Sequence, residues 1–238
     1  MQRRIPILEP GEELPPTHEA LDYPNGLLAA GGDLTPSSLL AAYRRGVFPW
    51  YEEPQPVLWW TPDPRSVLFP HELHISRSLR KVLRRNAFGL AVDTSFSKVM
   101  RACAGPRRGS NGTWIGSAMF QAYNELHRLG YAHSVEVLDE RGELAGGLYG
   151  VALGGVFFGE SMFSHQADAS KVALVGLVDI ALRGDFELID CQVGNPHLES
   201  LGARDIDRLD FEARLAQTTG IEIDPRIWSL PGTCGELL

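Results

Sequence analysis

Residues 133–163 read HSVEVLDERGELAGGLYGVALGGVFFGESMF, and the reading of this stretch decides the fold class. Runs 133–138, 144–151 and 155–158 are rich in β-branched, aromatic and leucine side chains. They are separated by Asp139-Glu140-Arg141-Gly142 and by Gly154-Gly155, the turn chemistry of consecutive hairpins. The longest uncharged stretch, 144–159, falls short of the roughly 18 apolar residues of a membrane span and is broken by glycines. The segment therefore reads as an antiparallel meander.

Ahead of the meander the pattern predicts a strand at 88–93 and helices at 95–104 and 117–129, the second ended by Gly130. After it come a helix at 170–182 stopped by Gly184, a short strand at 187–193 and a late helix at 211–219. This order predicts an α+β fold with a mostly antiparallel sheet. Residues 1–70 differ in character, being dense in proline, so turns and short elements are expected there. One helix interrupts them, with Asp33 or Thr35 as cap, Pro36 in its first turn and Gly46 as its stop. The division expected is a small N-terminal domain over 1–75 and a larger acyltransferase-like domain over 76–238.

The net charge of −8 argues against general affinity for nucleic acid, where phosphate neutralisation dominates. Between His74 and Arg108, however, nine basic residues face one acid, Asp93. Five of them share a predicted helix at 76–85: Arg77, Arg80, Lys81, Arg84 and Arg85 recur at helical spacing on one face, with Leu79, Val82 and Leu83 on the other. From this segment alone the face is either solvated or a phosphate-binding ridge.

The start of the chain has no apolar run after its arginines, and no export is expected. Cys103, Cys191 and Cys234 are odd in number, far apart and without CxxC spacing, which predicts a reducing, cytoplasmic setting. His71 and His74 lack further ligands at metal spacing, so neither a metal nor another cofactor is expected.

Three places carry potential chemistry. Gly159-Glu160-Ser161-Met162-Phe163 ends the meander and leaves Glu160 either in a cleft or on the surface. Gly112-Thr113-Trp114-Ile115 precedes a helix, where free N–H groups can meet an anion and an indole can stack on a base, unless Trp114 is simply core. In Leu188-Ile189-Asp190-Cys191-Gln192-Val193, alternation puts Asp190 and Gln192 on one face and Cys191 on the other with Ile189 and Val193. Cys191 is accordingly expected to be a packed thiol, and the two polar groups require a partner or a substrate.

These segments resemble the leucyl/phenylalanyl-tRNA-protein transferase family. The resemblance rests on Tyr23-Pro24-Asn25-Gly26-Leu27-Leu28-Ala29-Ala30-Gly31-Gly32-Asp33-Leu34, Gly46-Val47-Phe48-Pro49-Trp50, Trp59-Trp60-Thr61-Pro62-Asp63-Pro64-Arg65, Leu73-His74-Ile75-Ser76-Arg77-Ser78, Gly112-Thr113-Trp114-Ile115, His133-Ser134-Val135-Glu136-Val137, Gly159-Glu160-Ser161-Met162-Phe163-Ser164 and Ile189-Asp190-Cys191-Gln192. It implies a larger domain of the GCN5-related acetyltransferase type that uses no coenzyme A. It further implies that Trp50 and Trp114 hold the 3′-terminal adenosine beside Glu160, and that Leu148, Phe157, Met162, Leu174 and Ile189 line an apolar side-chain pocket. Leu177 and Ala181 stand where some relatives carry aromatic residues, which implies a roomier pocket. The ridge from Arg77 to Arg85 matches the surface that contacts the acceptor stem of tRNA.

The implied activity is transfer of Leu, Phe or Met from aminoacyl-tRNA to proteins beginning with Arg or Lys, marking them for degradation, by a monomer. An aminoacyl ester is already activated, so the work is to position the amine and stabilise a tetrahedral oxyanion. Asp190 is expected to accept hydrogen bonds from the incoming amine, and Gln192 to orient it or donate to the oxyanion. A coenzyme A-dependent N-acetyltransferase is the alternative, but no Q/R-x-x-G-x-G/A loop occurs at the expected junction. A non-catalytic tRNA-binding module would account for the ridge and not for the carboxylates.

Overall fold

The computed structural model describes residues 4–105 and 115–238; Arg107, Arg108 and Gly112-Thr113-Trp114 lie outside the described residues. The chain runs β1 (Ile7–Leu8), β2 (Leu27–Gly31), α1 (Pro36–Arg44), β3 (Phe48–Pro49), β4 (Leu58–Trp60), β5 (Arg65–Leu68), α2 (Arg77–Arg85), β6 (Gly89–Val92) and α3 (Phe96–Cys103). It continues through α4 (Ser117–Arg128), β7 (Ala132–Leu138), β8 (Leu144–Leu153), β9 (Val156–Ser164), α5 (Ala169–Arg183), β10 (Leu188–Gln192), α6 (Pro196–Glu199), β11 (Arg204–Ile206) and α7 (Arg208–Thr218).

Local chemistry sets these boundaries. Thr35 caps α1 by accepting the Ser38 N–H, with Pro36 in the first turn. Ser76 Oγ accepts the Leu79 N–H at the start of α2, and Asn86 in a left-handed conformation ends it. Apolar positions on α2 bury Leu79 and Leu83 and leave all five cations exposed. In α5 nearly every residue from Ala169 to Ala181 is buried, the signature of a helix enclosed on all sides.

Two sheets result: a four-stranded one in the order β1-β2-β4-β3 and a seven-stranded one in the order β11-β5-β10-β9-β8-β7-β6. The meander is observed as β7, β8 and β9, paired antiparallel. Among the described residues of the large sheet, β9 and β10 are the one parallel pair. Helices α2 and α5 cover one face of it, with Leu79, Leu83, Leu174 and Leu177 packed on Leu148, Phe157 and Ile189. The other face carries α1, α3, α4 and the small sheet in one continuous core, where Tyr43, Trp59 and Phe48 join Phe96, Tyr123 and Phe158.

Strand β5 lies before residue 75, the boundary expected from sequence, yet it pairs with β10 and β11 in the large sheet. The passage from one sheet to the other falls between Trp60 and Arg65. Among the described residues no helix is long and apolar enough to cross a membrane.

Candidate active site

The site forms where β9 and β10 part. Their parallel register holds from Leu188 opposite Val156 to Asp190 opposite Phe158, and beyond it each strand carries an irregularity. On β8, Tyr149 faces Ser161 and Gly150 faces Gly159, leaving Glu160 as the extra residue of β9. On β5, Val67 faces Asp190 and Ser66 faces Gln192, leaving Cys191 as the extra residue of β10. Such bulges bend a strand and re-aim its side chains. Gly150 is required at the first of them, since a Cβ there would lie 2.1 Å from the Phe158 carbonyl oxygen. Gln192 itself has φ +63, a left-handed conformation that costs a non-glycine residue roughly 1 kcal/mol or more.

Glu160 is the centre of this opening. Its Oε1 accepts from Tyr43 Oη at 2.7 Å and from Gln192 Nε2 at 3.0 Å, while Oε2 accepts from Tyr123 Oη at 3.0 Å. The hydroxyls of Tyr43 and Tyr123 are also in contact, and since each has a single proton, this contact becomes a hydrogen bond when one hydroxyl turns away from Glu160 or when a protonated Glu160 donates to one of them. Burial raises the Glu160 carboxyl from an ordinary 4.5 to about 7, against the pull of its hydrogen bonds, and the negative charge of Asp190 adds to the rise. Both tyrosine hydroxyls are pushed well above their usual range, first by burial and then by the Glu160 charge.

Asp190 is placed differently from the sequence expectation. Its side chain is 0% exposed and is gripped by Arg65, itself 0% exposed, through Nε–Oδ1 at 2.8 Å and Nη2–Oδ2 at 2.7 Å. The guanidinium lies over the rings of Phe48 and Phe211, and Oδ1 also accepts the Gln192 backbone N–H at 2.8 Å. An incoming amine therefore does not meet a free carboxylate there, and Asp190 instead fixes the backbone that carries Gln192. Cys191 also departs from expectation: it is half-buried and lines the cavity. Burial and the neighbouring Asp190 charge push its thiol strongly upward, which keeps it protonated and unsuited to nucleophilic attack.

Between β8, β9, β10 and α5 lies a cavity of about 250 Å³. Leu148, Phe157, Met162, Leu174, Leu177 and Ile189 all line it, and Glu160 and Gln192 stand at its edge. A second cleft, outside that edge, brings Trp50 together with Phe48, Glu160, Gln192, Gly194 and Asn195. Trp50 is half exposed and meets Trp60 edge-on at 5.6 Å. Trp114, expected beside it, lies outside the described residues. On α2, Arg77, Arg80, Lys81, Arg84 and Arg85 are exposed and make no ion pair with any described residue.

Sequence reasoning did not assign roles to Tyr43, Tyr123 or Arg65. The tyrosines look like ordinary apolar positions of α1 and α4, and no local signal marks them. Arg65 did leave one, because a cation heading the buried run Arg65-Ser66-Val67-Leu68 requires a carboxylate.

A greasy cavity opening on a protonatable carboxylate and a primary amide, between strands that have just separated, is equipment for group transfer onto a bound nucleophile. Family models described as leucyl/phenylalanyl-tRNA protein transferase match residues 67–216, and its N-terminal domain residues 32–63. The chain is 57% identical to a leucyl/phenylalanyl-tRNA–protein transferase of Nitrosospira multiformis over 90% of its own length and 91% of that protein's. It is 59% identical to one of Pseudomonas entomophila, covering 85% of this chain and 89% of that one, and 55% identical to one of Syntrophobacter fumaroxidans, covering 98% and 99%. The chain belongs to the leucyl/phenylalanyl-tRNA protein transferase family. Among solved structures, L-PGS from Bacillus licheniformis is similar at a TM-score of 0.40 and 10% identity, covering 71% of this chain and 53% of that one.

Proposed function

We propose that this protein is an aminoacyltransferase that moves Leu, Phe or Met from aminoacyl-tRNA to the N-terminal Arg or Lys of acceptor proteins, marking them for degradation, as a cytoplasmic monomer. The observation that carries this reading is the six-residue apolar wall ending at the Glu160–Gln192 pair. It offers the amino-acid side chain a dry seat and leaves the ester at the cleft. Trp50 presents an indole to the terminal adenine, with Trp114 as the second ring expected there. The cationic face of α2 takes the acceptor stem through phosphates, which carry no sequence information, so that several tRNAs are accepted.

The amine attacks the ester carbonyl carbon; a C–N bond forms, the C–O bond to the tRNA 3′ oxygen breaks, and that oxygen leaves as a hydroxyl. The attacking amine has to shed protons, and Glu160, at about 7 and on the cleft, is the group fitted to receive one. Gln192 is a neutral amide and no base; its N–H groups orient the amine or donate to the oxyanion. Asp190 serves as a positioning residue through Arg65 and the Gln192 N–H. The ester's own activation makes ATP or a metal unnecessary for this step.

We also read the chain as two domains, with the boundary drawn between Trp60 and Arg65 rather than at residue 75. The parting of parallel β9 and β10 supports a GCN5-related acetyltransferase type for the larger one. The test is transfer of labelled leucine, phenylalanine and methionine from their tRNAs to an Arg-starting peptide, measured side by side. Absence of labelled peptide with all three, or turnover of acetyl coenzyme A instead, overturns the reading.

A further inference from the structure

The apolar wall of the cavity is backed by a part of the chain that the transfer step does not use. After α7 the chain returns along the α5 side of the large sheet as a strap, residues 227–234, and both ends of that strap are tied down. At its start Arg183, the last residue of α5, donates from Nη1 to the Ile227 carbonyl at 3.0 Å and from Nη2 to the Ser229 carbonyl. The Trp228 indole stacks on His133 with the ring centroids 3.6 Å apart, and Asp93 holds the other side of that imidazole by its Nδ1 at 2.6 Å. At its end the Gly232 carbonyl accepts the Leu90 N–H, and the Cys234 N–H donates to the Phe88 carbonyl. A segment anchored in this way transmits position and does not simply cover surface.

Between the anchors two side chains reach the back of the cavity wall. The Trp228 ring lies 6.0 Å from the ring of Phe157, which lines the cavity. Leu230, half-buried, meets α5 at Gly176: a Cβ on that glycine would stand 2.9 Å from Leu230 Cδ1 and 3.5 Å from Val135 Cγ1. The glycine is therefore the notch that admits the leucine. At 3.6 residues per turn Gly176 points about 130° away from the direction midway between Leu174 and Leu177. Those two line the cavity. Helix α5 is thus held between close packing on Leu230 and open space of about 250 Å³ on its other side. Interiors are packed densely enough that deleting a prop lets the helix relax towards the gap, away from the cavity.

We propose that the strap sets the width of the cavity, with Leu230 in the Gly176 notch as the positioning residue that decides how large a side chain is transferred. The inference rests on the reading that the cavity seats the transferred amino acid, and adds what fixes the size of that seat. Leu230 touches neither the cavity nor the reaction centre; it acts through α5.

The experiment measures kcat/KM for Phe-tRNA and Leu-tRNA with one acceptor peptide in the wild type and in Leu230 variants, with circular dichroism to establish folding. Leu230→Ala should raise the phenylalanine-to-leucine ratio about fivefold, below the 10–200-fold that a change in the lining itself can produce. Leu230→Met, close in volume, should hold the ratio. Gly176→Ala added to Leu230→Ala should return it towards wild type, because the new methyl enters the space that Leu230 Cδ1 left. Leu230→Val moves the ratio the same way by less, and carries the test if Leu230→Ala does not fold. A merely structural role would lower both kcat/KM values in step; an unchanged ratio, a rise of leucine over phenylalanine, or a shift that Gly176→Ala leaves in place overturns the proposal. Leu177→Ala, which alters the lining directly, separates the two readings. A changed ratio there with none in the Leu230 variants overturns the strap and leaves the seat standing, whereas no change in either overturns the seat and the strap with it.

Discussion

Glu160 combines burial with three hydrogen-bond donors, and its behaviour with pH separates a structural role from a chemical one. Its folded value of about 7 lies above the ordinary 4.5, so the native state binds the proton more tightly than the unfolded chain does. Stability from this group is therefore fully present below about pH 4.5 and is lost as pH rises towards and through 7, by about 3 kcal/mol once well above it. Thermal unfolding from pH 5 to 8 should show a larger drop in Tm for wild type than for Glu160→Gln; parallel profiles would remove the burial argument. If Glu160 receives the amine's proton, kcat/KM for transfer rises with pH to a plateau above about 7, and Glu160→Gln removes that limb of the profile. Asp190 calls for the opposite outcome. Breaking a fully buried pair leaves Arg65 uncompensated, so Asp190→Asn should cost about 3–5 kcal/mol in denaturant unfolding along with its effect on transfer. Lost transfer at unchanged stability would instead put Asp190 in contact with the amine.

Helix α2 presents Arg77, Arg80, Lys81, Arg84 and Arg85 to solvent with no internal counter-charge among the described residues, as a phosphate-binding face requires. Replacing Arg80, Lys81 and Arg84 with glutamine should weaken tRNA binding and flatten the slope of log K against log salt by about 2, since each lost phosphate contact removes roughly 0.7–0.9. An unchanged slope in filter-binding titrations would make the face a solvated surface and nothing more. This helix was legible in the sequence because everything that defines it is local: Ser76 as cap, Asn86 as terminator, leucines at helical spacing. The meander was legible for the same reason, its turns being written in Asp139-Glu140-Arg141-Gly142 and Gly154-Gly155. Strand β5 was not, since four residues in a proline-rich stretch become a strand only when β10 and β11 flank them. The bulges at Glu160 and Cys191 were hidden too, because register is a property of a pair and not of one strand. Period-two alternation thus placed Asp190 and Gln192 on one face and missed that the first is sealed by Arg65 while the second stays open to the cleft.

The small sheet and α1 look from sequence like an appended unit, yet they share a core with the large sheet, and the reaction centre depends on that sharing. Tyr43 comes from α1, Tyr123 from α4, Arg65 from the first strand after the passage between sheets, and the ring of Phe48 lies over its guanidinium. A unit of some 60 residues buries too little surface to be more than marginally stable alone, so the apolar residues it places against Phe158 and Phe211 tie its stability to that of the larger part. Leu39 is fully buried at this junction and makes a suitable probe. Leu39→Ala should cost about 2–5 kcal/mol and lower one common transition, seen as a single calorimetric peak whose van't Hoff and calorimetric enthalpies agree in wild type and variant alike. If the two sheets had independent cores, the substitution would split off a low-temperature peak for the small sheet and leave the main one in place. The same coupling extends to chemistry: loosening α1 moves Tyr43 away from Glu160, so Leu39→Ala should reduce transfer at temperatures where the protein is still folded, although residue 39 touches neither the cavity nor the Trp50 cleft.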